Sequence, residues 1–101
     1  MAELEDTTGP MAFAATFPPE PRFAATAGEL AARLASACGC ADDAVSAVRD
    51  AVSRAFGEAV AGAAAGGDVI DVTMRSDGAA FEADLACAGK ALLHCSAPRP
   101  A

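Results

Sequence analysis

Between Met11 and Phe17 the chain alternates, placing Phe13, Ala15 and Phe17 on one side. This period of two predicts a short strand with one buried face. Pro18-Pro19-Glu20-Pro21 stops it, because prolines withhold ladder donors and fix φ. The period then lengthens: Phe23, Ala27, Leu30, Leu34 and Cys38 recur at three- and four-residue steps, predicting a helix from whose apolar seam Glu29, Arg33 and Ser36 turn away. Gly39 ends it, since a left-handed residue costs least as glycine. Asp42 or Asp43 is expected to cap a second, longer helix, where a carboxylate meets unpaired backbone donors and the positive end of the dipole. Its buried stripe is Val45, Val48, Val52, Phe56 and Ala59, and it fades through residues 61–65 into Gly66-Gly67.

Beyond Gly67 the period returns to two. Ile70, Val72 and Met74 alternate with Asp71, Thr73 and Arg75, and Phe81, Ala83, Leu85 and Cys87 alternate with Glu82 and Asp84. A hairpin is expected, with Asp77-Gly78 in its turn. One face is apolar and the other charged, so a single layer of helices covers the apolar side. The predicted fold is α+β, a two-layer sandwich of order β-α-α-β-β: a three-stranded, largely antiparallel sheet covered on one face by two helices. Residues 11–95 form the single domain, and residues 1–10 and 96–101 read as disordered tails. There is no internal repeat.

Composition narrows this picture. A chain of 101 residues supports one core, and although 53% of it is hydrophobic, much of that is alanine, which buries little area per residue. With no Trp or Tyr, the core rests on five phenylalanines and a modest set of Val, Leu and Ile. A net charge of −7 repels phosphate backbones and anionic lipid heads, so neither a nucleic acid nor a membrane is the expected partner. No run of apolar residues is long enough to span a bilayer, and the acidic start differs from a secretory signal, which points to the cytoplasm. The four cysteines are then expected as free thiols. Cys38, Cys40, His94 and Cys95 offer the atom types of a zinc set, but Cys-x-Cys lacks the usual ligand spacing, and small core fillers are the preferred reading.

Residues 18–60 also resemble the anti-sigma-factor serine kinases of the histidine-kinase-like (GHKL) ATPase superfamily. In that family a strand ends at Pro-x-x-Pro, then come a helix, a glycine link and a helix of the form A-V-S-E-A-x-x-N-A-V. Here Pro18-Pro19-Glu20-Pro21 precedes a helix, Gly39 and Ala51-Val52-Ser53-Arg54-Ala55-Phe56-Gly57-Glu58-Ala59-Val60. The resemblance implies that the general-base glutamate is replaced by Arg54 and the magnesium-holding asparagine by Glu58. A guanidinium stays charged and accepts no proton at neutral pH. Glu58 keeps a carboxylate for a divalent cation but turns negative charge toward a triphosphate. A register one turn earlier, ranked second, puts Asp50 at the acid and Arg54 at the asparagine, and still supplies no amide for magnesium. The family's D-x-G, whose aspartate accepts from the adenine amino group, matches Cys87-Ala88-Gly89, which keeps the glycine and loses the carboxylate.

Without the family, Asp50, Arg54 and Glu58 lie four apart on one side of the second helix, as a solvated charge ladder or a contact face. His94 has no evident carboxylate partner and reads as a surface or tail residue, Cys87 as a buried thiol, and Lys90 as a very weak phosphate signal. The expectation is a regulatory protein-binding module that has lost nucleotide chemistry. Its partner or degenerate nucleotide face holds Asp50, Arg54, Glu58, Cys87 and Gly89, with no catalytic or metal-binding residue and no cofactor. The resemblance implies a protein partner such as a sigma factor or a signalling regulator. The alternatives are a weak ATP- and magnesium-binding serine/threonine kinase using Asp50 or Glu58, and a structural homodimer.

Overall fold

A computed structural model of the chain describes residues 11–62, 68–76 and 80–98. Strand β1 (Met11–Phe17) leads through a single 3-10 turn at Pro21–Phe23 into α1 (Ala24–Ala37) and α2 (Asp42–Gly62). Strands β2 (Ile70–Ser76), β3 (Ala80–Cys87) and β4 (Lys90–Pro98) follow. The fold is α+β, with both helices on one side of a sheet of order β1-β2-β3-β4, antiparallel throughout.

The sheet has four strands, not the expected three. After Cys87 the chain turns through Ala88 and Gly89 and runs back along β3 as far as Pro98, past Ser96, where a tail was expected. Ala97 is buried opposite Phe81. The fourth strand escapes a period-of-two reading because its register slips. Leu85 pairs with Leu93 but Ala86 pairs with Ala91, so Leu92 is an extra residue that breaks the alternation. The expected turn at Asp77-Gly78, the fading end of α2 at residues 63–67 and both outermost tails lie outside the described residues.

Helix α1 ends as the glycine predicted. Gly39 takes φ +92°, its N–H donates to the Ser36 carbonyl, and the Cys40 N–H donates to the Ala35 carbonyl at 3.1 Å. This pair of bonds is the Schellman arrangement, and the buried Ala35 and Cys40 supply its apolar contact. The first backbone bond of α2 runs from the Val45 N–H to the Ala41 carbonyl, so Asp42 and Asp43 stand inside the first turn rather than ahead of it. There they still meet the positive end of the dipole, and the Asp43 carboxylate accepts from the Ala44 N–H at 2.9 Å.

The core lies between α2 and the inner face of the sheet, where Phe56, Phe81, Ile70, Met74, Leu85, Val52 and Val72 are fully buried. Each contributes about 1.5–3 kcal/mol relative to exposure. The buried line of α1 differs from the expected seam: it runs along Ala27, Ala31 and Ala35, while Leu30 and Leu34 sit half-buried at its margin. The reason is the closeness of the two helices. Ser53 Oγ donates to the Ala24 carbonyl at 3.2 Å, and a Cβ on the buried Gly28 would stand 2.9 Å from the Arg49 carbonyl oxygen. Only small side chains fit such an approach. Phe17 links β1 to this assembly, edge-on to Phe56 at 5.6 Å and tilted against Phe23 at 6.1 Å. Phe13, expected to be buried, is 37% exposed, because the helices do not reach across the outer half of β1.

Candidate functional site

The end of α2 and the hairpin from β3 to β4 enclose a cleft of about 320 Å³. Its volume is at the lower end of the roughly 300–1,000 Å³ typical of ligand pockets. Glu58 and Ala59 reach it from α2, Asp68 from the approach to β2, Cys87 and Ala88 from the hairpin turn, and Lys90 and Leu92 from β4. Glu58, Asp68 and Lys90 are the charged residues of this lining.

The turn at its lip is strained. Ala88 has φ 55° and Gly89 has φ 79°, the pair of positive values that a two-residue turn of the mirror-image type demands. Glycine adopts this region freely, whereas an alanine there is a conformational outlier costing on the order of 1 kcal/mol. The turn also sends the chain straight back as β4, so the segment after Gly89 forms the cleft's own wall.

Of the five residues expected on this face, Glu58 and Cys87 come together at the cleft, and Gly89 sits in its turn between Ala88 and Lys90. Asp50 and Arg54 do not line it; they lie exposed on α2, two turns and one turn before Glu58. The charge ladder read from their spacing is not joined up: no ion pair among the described residues links Asp50, Arg54 and Glu58. The ion pair of this helix belongs instead to Arg49, whose Nε lies 3.0 Å from Glu29 Oε2 on α1. Asp68 and Leu92 were not anticipated. Asp68 precedes a strand without any periodic signal, and Leu92 is the bulge residue.

A second cluster occupies the open face of the sheet, away from the helices. His94 Nδ1 sits 2.5 Å from Asp84 Oδ1 on the neighbouring strand, and Arg75 reaches Asp84 at 2.8 Å and Glu82 at 2.7 Å. His94 is thus a strand residue with a carboxylate partner, which corrects its reading as an unpaired surface or tail position. Sequence distance hid the pair: the two residues stand opposite each other only because β4 exists. Burial pushes the Asp84 carboxyl up, but the bonds from His94 and Arg75 outweigh it and hold the group below the ordinary aspartate value of 3.8. Thr16 adds a bond to Asp71 at 3.1 Å on the same face. These groups are substantially exposed, and each such pair contributes little to stability.

None of the four cysteines is in a disulfide; Cys40 and Cys87 are buried, and Cys38 and Cys95 half-buried. His94 faces solvent while its neighbour Cys95 packs against the core, so the two side chains point to opposite faces of β4 and do not converge on one ion. Burial raises the Cys95 thiol above its ordinary value of 9.0, partly offset by a backbone hydrogen bond from Ala83. Among the described residues no helix is long and apolar enough to cross a membrane.

Comparison of the chain with known protein families finds no match, and comparison with curated proteins finds none either.

Proposed function

We propose that this chain is a regulatory protein-binding module, similar to the anti-sigma type, that acts by docking a partner protein in the cytoplasm and performs no phosphoryl transfer. The observation that carries the reading is the cleft between α2 and the hairpin, lined by Glu58 and Cys87, two of the positions that the resemblance sets against the family's nucleotide-binding residues. Here Glu58 brings a carboxylate to the cleft at the position that the resemblance gives to the family's magnesium-holding asparagine, and negative charge there repels a polyphosphate. The chain after Gly89 is committed to β4, so it supplies a wall where the resembled family has a closing lid. Beside the cleft, Asp50, Arg54 and Glu58 form an exposed charged ridge along α2 that none of the described ion pairs neutralises. Such a ridge suits electrostatic recognition of a protein surface, with a sigma factor or a signalling regulator as the partner class.

The test is a calorimetric titration with Mg-ATP. The proposal expects no heat of binding, and a micromolar isotherm overturns it. The alternative, weak nucleotide binding by a serine/threonine kinase, draws on the existence of that same cleft. It expects nucleotide to raise the melting temperature and Glu58→Ala to abolish the rise.

A further inference from the structure

An open four-stranded sheet has two edges, and this chain treats them differently. The β4 edge carries the devices that discourage further pairing: Lys90 and His94 along it, the bulge at Leu92 and Pro98 at its end. Among the described residues the β1 edge carries none within the strand itself. Its seven residues, Met11–Phe17, include no charge and no proline, and they pair with β2 in unbroken register. Phe13, on the helix side of this strand, stands 37% exposed beyond the reach of the helices. A regular uncharged strand, half of whose backbone groups point away from β2, its one strand neighbour among the described residues, is a template for another strand.

We propose that β1 pairs antiparallel with β1 of a second copy of this chain, about a two-fold axis through Ala14, joining the two sheets into one. In this register Ala14 opposes its own counterpart, Phe13 opposes Ala15, and Ala12 opposes Thr16. The exposed ring of Phe13 therefore lies over an alanine on the helix side, large against small, and only small side chains meet on the open side. A second copy fits better than a foreign strand for two reasons. The uncharged edge offers no charge pattern by which another protein is selected, and the two-fold register sets Phe13 of each copy over Ala15 of the other while only Ala12, Ala14 and Thr16 meet on the open side, the same contact made twice as an isologous seam requires. Each copy carries −7, so the copies repel at long range while the seam itself is neutral. Added salt screens that repulsion and strengthens the dimer. A seam of this length is small beside stable interfaces, so the association is reversible and dependent on concentration. The proposal is independent of nucleotide binding.

Sedimentation velocity of the full chain, from micromolar to millimolar concentration at low and high salt, tests it. The expected result is a monomer that becomes a dimer with rising concentration, more readily at high salt. Ala14 is exposed in the single chain, so Ala14→Lys is expected to keep the fold by far-UV circular dichroism. Across the axis it sets two ammonium groups side by side, and it is expected to weaken the dimer by about tenfold or more. An equal mixture of Ala14→Lys and Ala14→Glu chains is expected to restore it. A monomer at every concentration, or a dimer as strong in Ala14→Lys as in the unaltered chain, overturns the proposal. If Ala14→Lys fails to fold, amide exchange of the unaltered chain reads the same edge. Protection of β1 amides that rises with concentration supports the seam, and exchange independent of concentration overturns it.

Discussion

Replacing Gly28 with alanine sets two effects against each other, and the structure decides which prevails. Within a helix, alanine is favoured over glycine by about 1 kcal/mol. At Gly28, however, the new Cβ would lie 2.1 Å from Ser53 Oγ, 3.3 Å from Ser53 Cβ and 2.9 Å from the Arg49 carbonyl oxygen. Ser53 can turn away, at the loss of its hydrogen bond to the Ala24 carbonyl, worth about 0.5–1.5 kcal/mol. The Arg49 carbonyl is backbone, so it yields only if α1 and α2 separate, and overpacking of this kind costs roughly 1–3 kcal/mol. The expected net loss is about 1–2 kcal/mol, which in a domain of this size lowers the melting temperature by roughly 5–15 °C. Because the chain has no Trp or Tyr, thermal unfolding is followed by far-UV circular dichroism rather than fluorescence. Gly57 on the exposed side of α2 is the control, since a Cβ there meets nothing within 4 Å. Gly57→Ala should gain about 0.5–1 kcal/mol from propensity alone. Adding Ser53→Ala to Gly28→Ala should recover only part of the loss, because the Arg49 carbonyl remains. If Gly28→Ala proves as stable as Gly57→Ala, the close approach of the helices is wrong.

Four further outcomes follow from the same structure. Ala88→Asn, placing a residue tolerant of positive φ at the strained hairpin position, is expected to raise stability by about 0.5–1 kcal/mol in urea titration. Phe56→Ala, at a fully buried ring, is expected to cost about 3–5 kcal/mol and leave little folded protein at room temperature by circular dichroism. The folded-state value of Asp84 is depressed, so its contribution is present above the unfolded value of 3.8 and is lost as pH falls through the folded value; Asp84→Asn is therefore expected to flatten the acid limb of stability against pH. For the Cys95 thiol, whose value is raised by burial, the midpoint of alkylation against pH read by mass spectrometry is expected above 9.0.

Much of this fold was legible in the order of apolar positions, and the failures have physical causes. Strands β2 and β3 alternate cleanly because one face meets the helices and the other meets water, giving burial that switches at every residue. Strand β4 hides because the extra Leu92 shifts its phase: Ala91, Leu92 and Leu93 read as an unpatterned run, and the inward set Leu93, Cys95 and Ala97 emerges only once the bulge is known. On α1 the larger residues drew the seam toward Leu30 and Leu34. The true contact line is alanine, because a close helix pair selects for small volume rather than high hydrophobicity. Of the cleft's lining, Glu58 and Cys87 had been singled out through the resemblance, whereas Asp68 sits in a connection whose path depends on tertiary packing. The Asp84 and His94 pair was invisible for the same reason as β4, since ten positions of sequence separate two residues that a hairpin brings face to face.

On the proposed reading the cleft between α2 and the hairpin holds no nucleotide, and backbone amide chemical shifts test this residue by residue. With Mg-ATP added to millimolar excess over labelled chain, the amides of Glu58, Gly62, Asp68, Ala88 and Lys90 should keep their positions. Saturable movement of those amides together, with the rest of the spectrum still, would contradict the account and restore nucleotide binding to this fold.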